Sequence, residues 1–216
     1  MLENIKALLF DLDGTLVDSM GVWKEIDIEY LGKFGIPLPD DLQKCLEGLC
    51  FHDTAIYVKN RFSIPDSLEE MENTWNVMAH QKYSHSIRLK PGAFELLKWA
   101  KENDIKTGIA TSNSRFLLDA FLKGNSLIDY FDFTLAGCDT LKSKPDPEIY
   151  LTLADKLSVV PSECLVFEDI PKGLLAGKNA GMKVCAVDDI YSAYAIEEKK
   201  RIADYYIYSY LDIFDK

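Results

Sequence analysis

Short apolar runs recur along the chain at residues 5–10, 107–111, 133–136, 164–167, 184–187 and 205–208. None alternates strictly between apolar and polar residues, so each reads as a strand buried on both faces. Helical patterns separate most of them. Ala93, Leu96, Leu97 and Ala100 follow i, i+3, i+4, i+7 spacing just after Pro91, and Tyr150, Leu153, Ala154 and Leu157 repeat it. Asp146 is placed to cap the second of these helices and Pro147 to occupy its first turn. A further helix reads from Pro171 to Gly181, the latter a suitable residue just past a helix end. Strands alternating with helices give an α/β fold: a Rossmann-like parallel sheet covered on both faces.

Residues 18–86 break this rhythm. Trp23, Ile26, Tyr30 and Phe34 fall near one helical face, which Gly35 and Pro37 bring to an end. Ser67 and Glu70 have the spacing of a capping box, with Met71, Trp75 and Met78 on a shared face behind it. No strand pattern stands out. The stretch reads as a helical cap domain, residues 18–86, inserted into a catalytic core of residues 1–17 and 87–216. Its connections to the core would lie near residues 17–18 and 84–90.

Hydrophobic residues make up 48% of the 216, enough for a core that needs neither disulfides nor a structural zinc. The five cysteines form no CxxC pair, and their odd number fits free thiols in a reducing compartment. A net charge of −11 repels nucleic acid and anionic membranes. It leaves room for a small phosphate ligand, because a bound cation and one lysine can reverse the local sign. The N-terminus lacks a signal pattern and no apolar run reaches membrane-spanning length, so the expectation is a cytoplasmic protein.

Chemistry-bearing residues gather where the strands end. The first run leads into Asp11-Leu12-Asp13-Gly14-Thr15. Residues two apart on an extended strand project to the same side, so Asp11 and Asp13 can meet one ligand while Gly14 turns the chain sharply. Ligands of open parallel sheets bind beyond the carboxyl ends of the strands, which is where this motif lies. The second run ends in Thr111-Ser112-Asn113 before a helical stretch from Ser114, a hydroxyl and free N–H groups suited to an anion. Lys144 precedes Pro145-Asp146-Pro147 and can place a point charge on a phosphate. Glu168 and Asp169 directly follow the fourth run and are hard oxygen ligands suited to magnesium. Each of these also has a plain reading taken alone: an Asp-Gly turn, a helix N-cap, a solvated lysine, a charged loop.

As an ordered set, the four elements resemble the motifs of the haloacid dehalogenase superfamily of phosphohydrolases: Asp11–Thr15 the first, Thr111 the second, Lys144 the third and Glu168-Asp169 the fourth. The resemblance covers essentially the whole chain, and the helical insert resembles the cap of the branch containing β-phosphoglucomutases and phosphoglycolate-type phosphatases. It implies that Asp11 attacks phosphorus and carries the phosphoryl group, while Asp13 protonates the leaving oxygen and later activates water. It implies Mg²⁺ held by Asp11, the Asp13 carbonyl and Asp169, with Glu168 a direct or water-mediated partner. Lys144, the Thr111 hydroxyl and N–H groups near Ser112 and Asn113 would offset charge on the phosphoryl group.

The cap offers weaker signals. Trp23, Phe51 and His52 are its candidate substrate contacts, His52 because it follows the loop-like stretch 47–51. A phosphosugar mutase is the alternative enzyme. Relatives of that kind carry a histidine twelve positions after the nucleophile, where this chain has Trp23. Their cap loop carries a lysine and an arginine where this one offers Glu47 and Phe51, although Lys59, Arg61 or His52 could compensate. A non-catalytic binding protein on the same fold would be favoured by loss of the nucleophile or acid, yet Asp11 and Asp13 are both present. A dehalogenase would not need the magnesium carboxylates. The expectation is an Mg²⁺-dependent phosphatase of a small phosphorylated metabolite, a monomer or weak dimer.

Overall fold

The computed structural model describes residues 1–214. All six apolar runs form strands: β1 Ala7–Phe10, β2 Lys106–Ala110, β3 Phe133–Leu135, β4 Cys164–Glu168, β5 Lys183–Val187 and β6 Tyr205–Ile207. They make one parallel sheet in the order β3-β2-β1-β4-β5-β6. The chain lays strands outward from β1 in one direction, then returns to β1 and builds outward in the other. The strand order therefore reverses between β1 and β4, and a crevice opens beyond their carboxyl ends.

The absence of alternation in the runs has its cause in the two layers. Leu8 and Phe10 belong to one apolar cluster, with Leu96, Leu97, Leu117 and Phe121 of α5 (Ala93–Glu102) and α6 (Arg115–Gly124). Ala7 and Leu9 belong to the opposite cluster, with Tyr150, Leu153 and Leu174 of α7 (Glu148–Leu157) and α8 (Pro171–Asn179). Phe10 and Phe167 stack with ring centroids 5.0 Å apart, locking the two central strands under the crevice.

Local chemistry fixes the helix ends. The Asp146 carboxylate accepts from the Glu148 N–H at 3.1 Å. Pro147 then sits at the N-cap instead of the first turn, one residue earlier than its sequence position suggests. Gly181 follows α8 with φ +76°, a left-handed conformation that glycine adopts without steric penalty.

Residues 18–86 form four helices, α1 Met20–Gly32, α2 Leu42–Leu46, α3 Phe51–Phe62 and α4 Leu68–Gln81, followed by one π-helical turn over Lys82–Ser86. Both halves of the Ser67–Glu70 capping box are made. Ile26, Tyr30, Met71 and Trp75 bury between α1 and α4, with the Tyr30 and Trp75 rings edge to face. No strand occurs in this stretch, which sits over the crevice. No helix among the described residues is long and apolar enough to cross a membrane.

Candidate active site

Register builds the floor of the site. Phe10 pairs with Phe167, and the Asp11 N–H donates to the Phe167 carbonyl at 3.0 Å. Asp11 and Glu168 thus emerge side by side, with Asp169 next. One oxygen from each of these three buried carboxylates lies within 4.8 Å of the others. Two glycines make the space. A Cβ on Gly14, whose φ is +79°, would stand 2.6 Å from Asp169 Oδ2, and one on Gly173 would stand 2.0 Å from Glu168 Cδ. Thr15 completes the turn by donating its hydroxyl to Asp169 Oδ1 at 2.8 Å.

Lys144 holds the carboxylates together. Its Nζ donates to Asp11 Oδ1 at 2.7 Å, to Glu168 Oε1 at 2.6 Å and to the Ala110 carbonyl at 3.1 Å. The Tyr150 hydroxyl donates to the same Glu168 oxygen at 2.6 Å. Burial alone would push the Lys144 ammonium down, but Asp11 and Glu168 outweigh it and hold it above the usual lysine range. Burial raises Glu168 and Asp169; Lys144 opposes the shift at Glu168 only in part, and the neighbouring carboxylates add to it at both. So much like charge in a dry place calls for a further cation.

Asp13 is held in a separate cage. Oδ1 accepts from the Ser19 hydroxyl at 2.6 Å and from the Tyr83 hydroxyl, and Oδ2 accepts from Asn113 Nδ2 at 2.9 Å. Trp23 Nε1 in turn donates to Tyr83 at 2.8 Å. Burial raises the Asp13 carboxyl, and the three donors pull it back only in part.

The Thr111–Asn113 segment differs in part from its sequence reading. Thr111 Oγ1 accepts from the Asn113 N–H at 3.1 Å, so that N–H serves the loop itself. The Ser112 carbonyl accepts from Phe51 N of the helical insert at 2.9 Å. The Asn113 side chain reaches Asp13 instead of facing outward. α6 starts where its N-cap, Ser114, accepts from the Leu117 N–H at 3.3 Å.

Above this floor, between the insert and the sheet, lies an open cavity of about 180 Å³ that Asp11, Asp13, Thr111, Lys144 and Asp169 line from below. Trp23 and Phe51 line it from above, their rings 6.0 Å apart. His52 is not part of the lining. It lies in the first turn of α3, where its exposed ring meets Glu72 at 2.6 Å. The stretch before it is only partly a loop, because Phe51 already belongs to the helix.

The family model for "Haloacid dehalogenase-like hydrolase" matches residues 8–187. The chain belongs to this family. It is a hydrolase of phosphoric monoesters. It is 31% identical over 179 residues to a phosphorylated carbohydrates phosphatase of Thermotoga maritima, covering 83% of each chain. A solved structure of a putative β-phosphoglucomutase from Thermotoga maritima is 28% identical, with a TM-score of 0.73 over 98% of this chain and 99% of the other. The crystal structure of CbbY from Rhodobacter sphaeroides in complex with phosphate shares the fold, with a TM-score of 0.86 at 24% identity, covering 97% of this chain and 96% of that one.

In this haloacid dehalogenase-like hydrolase the carboxylates fit a small hard cation. All the donors are oxygens. Glu168 Oε2 is buried with no hydrogen-bond partner, an orphaned acceptor that a cation or its bound water would satisfy. Sequence reasoning missed Tyr83, Tyr150 and Gly173. Tyr83 comes from the π-helical turn and Tyr150 from α7, each well separated in sequence from its partner, and nothing local marks them. Gly173 did carry a signal: a glycine in the first turn of the helix that follows two adjacent carboxylates.

Proposed function

We propose that this hydrolase removes the phosphoryl group from a small phosphorylated metabolite, a sugar or polyol phosphate monoester, by way of an aspartyl phosphate on Asp11. The observation that carries this reading is the pairing of two unlike carboxylates on one cavity floor. Asp11 is bound to a cationic lysine, and Asp13 is half-buried with a raised pKa. The first is suited to attack and the second to hold a proton.

Asp11 attacks phosphorus, and the bond from phosphorus to the ester oxygen breaks as the new one forms. Asp13 gives its proton to the departing oxygen. It then takes a proton from the water that attacks the phosphoryl-Asp11, restoring both carboxylates. Lys144 and the Thr111 hydroxyl offset charge on the transferring group. Asp11, Asp169 and Glu168, together with the Asp13 carbonyl that the family resemblance suggests, would hold Mg²⁺. Bound there, the cation neutralises the repulsion between the Asp11 carboxylate and a phosphate dianion.

The similarity to a phosphorylated carbohydrates phosphatase supports a sugar-like substrate. A mutase needs a second phosphate site under the cap, and the lining argues against one. Lys144 is the sole lysine or arginine among the lining residues. Arg61 pairs with Asp41 at 2.7 Å, and Lys59 is spent on the Ile64 and Asp66 carbonyls.

The test is Asp11→Asn with a panel of sugar and polyol monophosphates in Mg²⁺. The variant should release no phosphate, and wild-type enzyme quenched in acid during turnover should carry phosphate on the peptide containing Asp11. Turnover by the purified variant would defeat the assignment. Conversion of β-glucose 1-phosphate to glucose 6-phosphate, with catalytic 1,6-bisphosphate and little free phosphate, would move the reading to a mutase.

A further inference from the structure

We propose that Asp27, Gln43 and Trp75 form a recognition site on the cap wall of the cavity, and that it selects a leaving group that is uncharged and rich in hydroxyls. The proposal rests on the phosphatase reading above and names the cap residues that would recognise its substrate. The three residues come from three different helices, α1, α2 and α4, and all line the cavity. Trp75 is only 3% exposed, yet its Nε1 has no hydrogen-bond partner. Gln43 Nε2 is likewise buried and unpartnered. Buried donors of this kind are rare in folded proteins and call for an explanation. Asp27 has burial as the only cause of its shift, which takes it up to about 7, so no donor or cation compensates it.

These groups define a ligand by what they lack. Trp75 Nε1 can only donate, so it needs an acceptor. Asp27 accepts as a carboxylate and, raised to about 7, also donates when protonated, so it too suits a group that both donates and accepts. A hydroxyl is both, and a run of hydroxyls satisfies all three groups together. An ammonium on the substrate would suit Asp27 but face the two N–H donors. A carboxylate or second phosphate would suit the donors but meet the Asp27 carboxylate, with no lysine or arginine besides Lys144 among the lining residues. Trp23 and Phe51 supply an apolar face for the C–H side of such a chain or ring.

The experiment compares sorbitol 6-phosphate with acetyl phosphate, which delivers the same phosphoryl group on a leaving group without hydroxyls. The readout is the ratio of the two kcat/KM values. Trp75→Phe keeps the ring and removes the N–H, and Gln43→Leu removes the amide. Each variant should lower the ratio about tenfold, the scale of one lost hydrogen bond in a desolvated site. The change should fall mainly in KM for sorbitol 6-phosphate. A ratio that both variants leave unaltered overturns the proposal, as does a wild-type preference for phosphoglycolate or a hexose bisphosphate over sorbitol 6-phosphate. Wild-type enzyme that hydrolyses neither compound nor any other monophosphate defeats the phosphatase reading itself, and the proposal with it.

Discussion

Asp27 stands in a conflict between folding and use. Burial lifts its carboxyl from the ordinary aspartate value to about 7 with nothing to offset the shift. A folded-state pKa above the unfolded value means that the folded state binds more protons, so stability falls as pH rises through that window. The penalty is absent in acid and complete above about pH 7. Asp27→Asn removes the charge with little change in shape. It should raise the melting temperature at pH 8 by about 2–4 °C, the shift that 1 kcal/mol gives a chain of this size, and leave it nearly unchanged at pH 5. Thermal unfolding followed by circular dichroism at both values checks this; equal effects at the two pH values would mean that Asp27 is not desolvated. Gly173 makes the opposite case. Alanine in a helix normally stabilises relative to glycine by up to about 1 kcal/mol. Here the added Cβ would stand 2.0 Å from Glu168 Cδ, so Gly173→Ala should instead destabilise by about 1–3 kcal/mol. It should also raise the Mg²⁺ concentration needed for half-maximal activity, because Glu168 must move. A denaturant titration and a metal titration read the two effects. The tyrosine above Asp13 gives a third case: Tyr83→Phe removes a donor that holds the carboxylate and should lower kcat about tenfold with KM little altered, in steady-state kinetics.

The strands were readable because burial on both faces leaves a run of apolar residues that no helix or loop would carry, and each run ends where its chemistry begins. β1 and β4 place Asp11 and Glu168 together through a register that no local pattern encodes. The motif order made the site readable in spite of that. α4 was equally plain, since its capping box is a local device. Ser67→Ala should destabilise the protein by about 1 kcal/mol in a chemical denaturation curve, with activity retained, because the box lies on the far end of α4 from the crevice. α2 has only five residues, too few for a helical period to show. Gly48 and the cysteine at position 50 hide the start of α3, so from sequence the stretch 47–51 reads as a loop and His52 as the residue that follows it. In fact Cys50 is the N-cap, accepting through its sulfur from the Asp53 N–H at 3.4 Å. That start turns the His52 side chain outward to Glu72, while Phe51 beside it faces the cavity.

Besides the Ser19 and Tyr83 bonds to Asp13 near the two connections, and Ser114 Oγ donating to Asn76 Oδ1 at 2.6 Å, the cap meets the core through polar contacts around residues 47–53. Phe51 N donates to the Ser112 carbonyl at 2.9 Å, Cys50 N to Ser143 Oγ at 3.1 Å, and Ser143 Oγ to Asp53 Oδ2 at 2.6 Å. Lys172 Nζ donates to the Glu47 carbonyl at 2.8 Å, and the Tyr194 hydroxyl donates to the Glu47 side chain. A Cβ on Gly48 would stand 2.8 Å from the Lys144 carbonyl, so the loop is pressed close against the core. Contacts of this kind contribute about 0.5–1.5 kcal/mol each, a sum that a bound substrate can tip in either direction. They also hold the cap against the core at one rim of the cavity, and breaking them would widen its mouth. Residues 18–86 should therefore swing away as a unit about the connections near 17–18 and 84–90. Ser143→Ala removes two of the contacts without touching the carboxylates. It should shift the ligand-free enzyme toward an open form with a larger radius of gyration in solution scattering. It should also raise KM several-fold, while a tightly bound phosphate analogue with Mg²⁺ restores the compact form. Identical scattering from wild type and variant, with and without the analogue, would mean that the cap keeps one position and that substrate reaches Asp11 by another path.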